Sequence, residues 1–172
     1  IYDANAVMEG LSKSSGLSAD VKKQLEGEAK FIRGFCYFYL TNLFGDVPLV
    51  TTTDYQVNKI ASRAAAPEVY QQIIADLKSA ESLLSDDYSY SGGEKVRPNK
   101  WAAEALLARV YLYQQAWSDA ESSATAVINS GKYQLNDNLD NVFLANSSEA
   151  IWQLKPVLPG LNTNEAVSFI LL

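Results

Sequence analysis

The residue types that carry most protein chemistry are scarce in this chain of 172 residues. It contains no histidine, so the commonest general base and the commonest metal ligand are missing. Its one cysteine, Cys36, cannot form an intramolecular disulfide. Composition leaves open a glycoside hydrolase that uses carboxylates alone, but nothing in the sequence places two carboxylates together. We therefore expect a protein that is not an enzyme and that needs no cofactor or metal ion.

Two tyrosines are the best candidates for contact with a ligand. Tyr88 and Tyr90 alternate in a Ser-, Gly- and Asp-rich stretch, residues 85–97, where no hydrophobic pattern would bury them. The alternative is that these rings fold back onto the protein. The neighbouring Asp86 and Asp87 lack the further oxygen ligands that calcium needs, so we interpret them as solvated surface. The predicted ligand-binding residues are thus Tyr88 and Tyr90, with no catalytic or metal-binding residue.

A dense aromatic stretch, residues 28–50, is the strongest structural signal in the chain. Its apolar residues recur at helical spacing on more than one face, which is typical of a helix buried among several others. Gly27 and Gly34 interrupt this helix, and we expect a neighbouring element to approach closely at both. Flat aromatic rings also pair with sugar faces, but at helical spacing we interpret this cluster as core. By the same reasoning we expect Trp117 to be buried.

Three polar residues are interpreted as structural rather than as ligand contacts. Glu28 and Arg33 lie on the aromatic helix, and we expect them to form a buried or half-buried polar pair that ties helices together. Asn5 lies in a short apolar helix near the start of the chain, where we expect it to make structural hydrogen bonds.

The periodicity along the chain predicts a mainly α-helical fold. Residues 101–134 have the spacing of a tetratricopeptide repeat, although Gln115 stands where that repeat prefers glycine. We predict tetratricopeptide-like antiparallel helix pairs followed by a small, irregular segment with short strands. The predicted helices are 3–13, 18–44, 68–84, 98–115 and 117–130, with a crossing at 46–66, extended at 48–53, and short strands at 132–135 and 150–154.

Charge and length bound the remaining possibilities. The net charge of −6 argues against a nucleic-acid partner, because no basic stripe is available to meet phosphates. No apolar run is long enough to span a bilayer. The chain starts at Ile1 without a methionine and stops within an apolar run ending at Leu172. We expect residues 1–172 to form a single domain that is a piece of a longer protein, cut at both ends.

Several motifs together resemble the SusD/RagB family. The resemblance covers nearly the whole chain, with order and spacing preserved. It rests on Glu28-Ala29-x-Phe31-x-Arg33-x-Phe35, Phe44-Gly45-Asp46-Val47-Pro48-Leu49-Val50, Arg63, Glu68-Val69-Tyr70, the run from Lys100 to Tyr113, and Ser148-Glu149-Ala150-Ile151-Trp152.

The resemblance implies a function at the cell surface. Members of that family are outer-membrane lipoproteins of Bacteroidetes-type bacteria that capture oligosaccharides or other nutrients without altering them. They cover a SusC-like TonB-dependent transporter and pass the ligand to it. The lipid-bearing cysteine is expected outside this sequence, because Cys36 lies within the aromatic helix. The alternative is a tetratricopeptide-type scaffold for protein–protein interaction, which would require at least three regular repeats.

Overall fold

The computed structural model describes residues 1–145 and 147–156, and these residues are mainly helical, as predicted. Two short antiparallel strands pair within the crossing, with Val47 opposite Ala64 and Pro48 opposite Arg63. Single 3₁₀ turns occur at Ser89–Ser91 and Leu139–Asn141. The elements are α1 (Tyr2–Lys13), α2 (Ala19–Phe44), β1 (Val47–Pro48), α3 (Tyr55–Asn58), β2 (Arg63–Ala64), α4 (Ala66–Leu83), α5 (Lys100–Tyr113) and α6 (Trp117–Asn129).

The long helices pack in chain order, α1 on α2, α2 on α4, α4 on α5 and α5 on α6. The core lies between α2, α4 and α5, and its side chains are 8% exposed or less. It includes Phe31, Tyr37, Phe38, Val69, Ile73, Leu77, Ala103, Leu107 and Val110. Since burial of apolar surface is the main favourable term in folding, this shared core is what holds the helices in register.

Helix α2 is the central element, and local chemistry sets both its ends and its closest contact. The Ser18 hydroxyl accepts a hydrogen bond from the Val21 amide and caps the first turn. Gly45 ends the helix with a φ of 69°, a backbone region that favours glycine. On the side facing α4, a methyl group added at Gly27 would press on Leu84, and one added at Gly34 would press on Leu77. The predicted close approach at both glycines is therefore confirmed.

The connection between α5 and α6 shows why the repeat pattern prefers glycine at this position. Gln115 has a φ of 57°, so this turn needs the left-handed backbone conformation that glycine adopts most easily. At the opposite end of α5, the Asn99 side chain caps the first turn by accepting a hydrogen bond from the Ala102 amide at 2.9 Å. The preference for glycine at this position of a tetratricopeptide repeat is thus a backbone requirement, which Gln115 meets at some conformational cost.

Two expectations about the second half of the chain are wrong. Trp117 is 61% exposed, because α6 packs on α5 through Ala120, Ser123 and Val127 and leaves the Trp117 ring outside that contact. Residues 132–135 and 150–154 are irregular and form no strand in the described structure. The Gln134 amide instead donates a hydrogen bond to the carbonyl of Ser148, which lies just before the second region. The tail from residue 157 onward lies outside the described residues.

Within the part of the chain that the structure describes, no helix is both long and apolar enough to cross a membrane.

Candidate functional site

The last described segment, residues 147–156, lies against the loop of residues 85–99. We call these two segments the terminal strap and the tyrosine loop. The Gln153 amide donates a hydrogen bond to the Lys95 carbonyl at 2.8 Å, and the Lys95 ammonium donates to the Ser147 carbonyl at 2.8 Å. The Trp152 indole N–H donates to the Val96 carbonyl at 3.2 Å. These bonds fix the backbone of the strap and the plane of the Trp152 ring.

The Trp152 ring contacts two phenylalanines of α2. Its ring centroid lies 5.1 Å from that of Phe31 and 5.3 Å from that of Phe35, both in edge-to-face arrangements. Phe35 in turn lies 4.8 Å from Tyr39, one turn further along α2. Edge-to-face geometry is one of the two favoured arrangements of aromatic pairs, so the contacts of Trp152 order its ring as well as burying it. The strap and α2 thereby form one continuous aromatic wall.

This wall borders an open cavity of about 300 Å³ between α2, α5 and the strap. Two charged residues stand at the cavity, Arg109 from α5 and Glu149 from the strap. One Glu149 oxygen accepts a hydrogen bond from the Asn136 amide at 2.7 Å, which orients the carboxylate. Apolar rings beside one donor and one acceptor suit non-covalent binding of a small polar ligand. The lining consists of Phe31, Phe35, Ala102, Ala105, Leu106, Arg109, Glu149, Ile151 and Trp152.

The structure ties Tyr88 to the strap and leaves it only partly exposed. Its hydroxyl donates to the Ile151 carbonyl at 2.6 Å and lies 2.7 Å from the Tyr133 hydroxyl. The Asn99 amide group donates to Tyr133 at 3.1 Å, so a chain of hydrogen bonds runs from the α5 cap to the strap. Burial is the main cause that raises the pKa of Tyr88, and the Tyr133 hydrogen bond adds to it. Tyr88 is thus half-buried, contrary to the exposure we expected.

Tyr90 lies at the surface, with 37% of its area exposed. The Arg97 guanidinium lies 5.9 Å from the centre of its ring, and Arg97 also donates to the Tyr90 carbonyl at 2.8 Å. The ligand-binding role of Tyr88 and Tyr90 stays a prediction. The two adjacent acidic residues are exposed, Asp86 pairing with Lys132 at 3.0 Å and Asp87 accepting from the Ser89 hydroxyl at 2.7 Å.

The polar residues of α2 do tie helices together, but with partners other than each other. Arg33 donates to both carboxylate oxygens of Asp76 on α4, each at 2.7 Å, and to the Asn5 side chain on α1 at 2.8 Å. Glu28 instead accepts two hydrogen bonds from Arg97 of the tyrosine loop, each at 2.9 Å. Asn5 makes the structural hydrogen bonds expected of it, including one to the Val50 carbonyl at 3.1 Å.

Sequence reasoning missed the residues that line the cavity. Arg109 interrupts an otherwise apolar helix and Trp152 ends a family motif, so each carried a signal when taken alone. What the sequence does not give is their proximity, because it depends on how the strap docks on α2. That docking rests on individual hydrogen bonds between irregular segments, which have no periodicity to read.

The fold and the cavity together define the class of protein: an α-helical array of packed helix pairs with a small aromatic-lined pocket at one side. The family model described as "Starch-binding associating with outer membrane" matches residues 1–112. The chain belongs to this SusD-like family, also called SusD/RagB.

Individual relatives agree with this assignment. A SusD-like protein of Formosa agariphila is 27% identical over 158 residues, which is 90% of this chain and 30% of that protein. The crystal structure of a SusD-like protein from Bacteroides fragilis superposes with a TM-score of 0.82 at 28% identity, over 92% of this chain and 32% of that one. A laminarin-binding SusD-like protein gives a TM-score of 0.81 at 30% identity, over 88% and 34%. The chain thus spans about a third of the length of these relatives.

Proposed function

We propose that the protein captures glycans at the outer surface of the outer membrane of a Bacteroidetes-type bacterium. The observation that carries this proposal is the match of residues 1–112 to a family described as starch-binding and associated with the outer membrane. The similarity to a structure named as laminarin-binding supports a glycan ligand as well. The family relationship favours an oligosaccharide over other nutrients, because both descriptions name a glucan.

The proposed mechanism is reversible capture followed by transfer to a SusC-like TonB-dependent transporter. In this proposal residues 1–172 are the helical domain of a longer protein, whose lipid anchor holds it at the membrane surface. The share of each relative that the chain covers, 30% to 34%, supports that view. Capture without chemistry is favoured by the cavity lining, since Glu149 is its single carboxylate and glycoside hydrolysis uses a pair of them.

A tetratricopeptide-type scaffold is the less supported alternative. Helices α5 and α6 form a closely connected pair, but α2 and α4 are separated by the crossing with its two strands and α3. A scaffold of stacked repeats needs several similar pairs in succession.

Affinity electrophoresis of the intact protein tests the proposal. In gels that contain soluble starch or laminarin, migration should slow relative to a gel without polysaccharide, while a protein of similar size and charge that binds no glycan should be unaffected. Unchanged migration across a wide panel of glycans, together with specific binding to peptides, would favour the scaffold instead. Co-purification with a TonB-dependent transporter from detergent-solubilised outer membranes tests the partner separately.

A further inference from the structure

We propose that the cavity between α2, α5 and the terminal strap is a subsite for one neutral sugar ring of the captured glycan. The inference rests on the proposed function and assigns a position and a ligand class to it. Three properties of the cavity support it: the aromatic wall, the balance of charge and the volume.

The aromatic wall supplies a surface that matches one face of a pyranose ring. The wall contains Phe35 and Trp152, and both are only partly buried, so they keep surface available to a ligand. An aromatic face carries partial negative charge and attracts the weakly positive C–H groups of a sugar. The bond from the Trp152 indole to Val96 and the contact with Phe31 hold that ring in place. A preordered ring loses little entropy on binding.

The charged residues select a neutral, hydroxyl-rich ligand. Among residues 1–145 and 147–156, Arg109 is within ion-pair distance of no carboxylate, so its N–H groups can donate to sugar hydroxyls. The carboxylate of Glu149 offers an acceptor in the same lining. One positive and one negative group give no net preference for a charged sugar, and the chain's net charge of −6 disfavours an anionic one.

The volume limits how much of a glycan this subsite holds. At about 300 Å³ the cavity is at the small end of ligand pockets. It has room for about one sugar ring, so most of a longer glycan would extend away from it. The Tyr88 hydroxyl bond to Ile151 then has an indirect role, because it positions the backbone of a residue in the cavity wall.

Binding of maltohexaose and of laminarihexaose to the full 172-residue chain tests this subsite, by calorimetry and by NMR of the three tryptophan indole N–H signals. Trp→Phe variants assign those signals. The Trp152 signal should move saturably with at least one glucan, while the exposed Trp117 signal should not. Arg109→Gln and Glu149→Gln should each weaken binding about 10-fold, since each removes a charge-assisted hydrogen bond. Glu149→Gln keeps the acceptor for Asn136.

Arg63→Gln is the matched control, because Arg63 is an exposed arginine on β2, outside the cavity lining. Its affinity should equal that of the unmodified chain. The subsite would be overturned if binding does not shift the Trp152 signal, or if Arg109→Gln and Glu149→Gln do not weaken it. Either result would leave the proposed glycan capture intact. Retardation of the intact protein in starch or laminarin gels that Arg109→Gln and Glu149→Gln leave unchanged would also overturn the subsite and place the ligand elsewhere.

Discussion

Arg33 is the residue on which the packing of the first three long helices converges. It is 7% exposed and donates to Asp76 of α4 and Asn5 of α1. Replacing Asp76 by alanine would leave a buried guanidinium without its counter-charge, which typically costs about 3–5 kcal/mol. We expect Asp76→Ala to lower the free energy of unfolding by that amount in urea titrations.

The same substitution at a surface carboxylate provides the control for Asp76. Asp86 is 63% exposed in its side chain and pairs with Lys132 at 3.0 Å. Exposed ion pairs contribute about 0–1 kcal/mol, so Asp86→Ala should change stability little. Equal losses in Asp76→Ala and Asp86→Ala would show that the buried pair does not hold the helices together.

Ionisation of Tyr88 should make the free energy of unfolding depend on pH in the alkaline range. Burial raises its pKa in the folded protein, whereas in the unfolded chain it titrates near its ordinary value of about 10. Above that pH the unfolded chain has lost a proton that the folded protein keeps. The free energy of unfolding therefore falls as pH rises, while below about pH 10 the contribution of the tyrosine is complete.

The variant Tyr88→Phe isolates this effect from the other tyrosines. It removes the bond to the Ile151 carbonyl and should cost about 1–3 kcal/mol near neutral pH. The difference from the unmodified protein should then shrink as the pH rises above about 10, because phenylalanine does not titrate. Chemical denaturation at a series of pH values measures it. A difference that stays constant over this range would mean that the folded protein does not suppress ionisation of Tyr88.

At the level of elements, the close contact between α2 and α4 depends on Gly27, which has no side chain. A methyl group at Gly27 would lie 2.9 Å from Leu84 Cγ and 3.1 Å from Leu83 Cβ. Alanine there gains about 1 kcal/mol of helix propensity but must displace packed side chains, which costs about 1–3 kcal/mol. We expect Gly27→Ala to lower the melting temperature. Gly10→Ala in α1 is the control and should raise it, because nothing lies within 4 Å of its added methyl group.

The elements also show how far the sequence predicts the structure. The helices were predictable because caps and breakers such as Ser18, Gly45 and Pro67 act locally. The exposure of Trp117 was not, since the periodicity marks an apolar face without showing whether another element covers it. The cavity was not predictable either, because the strap is irregular and its position depends on bonds to Lys95 and Val96.

For the whole molecule, the strap joins the end of the described chain to its central helix. Trp152 contacts Phe31, a core residue that is 2% exposed, so the strap covers part of the core as well as lining the cavity. The tyrosine loop holds the strap through Lys95 and also binds α2 through the Arg97–Glu28 pair. The helical array and its irregular end are therefore expected to unfold together in one cooperative transition.

A pair of identical substitutions tests this coupling, Trp152→Ala in the strap and Trp117→Ala on α6. Trp152 is half-buried against two phenylalanine rings, so we expect a loss of about 2–4 kcal/mol, slightly below the range for a fully buried tryptophan. Trp117 is 61% exposed, and its removal should cost less than about 1 kcal/mol. Urea unfolding measures both, and amide hydrogen exchange shows where protection is lost. Strap amides that exchange rapidly already in the unmodified protein, with Trp152→Ala no less stable than Trp117→Ala, would show that the strap opens independently of the helices.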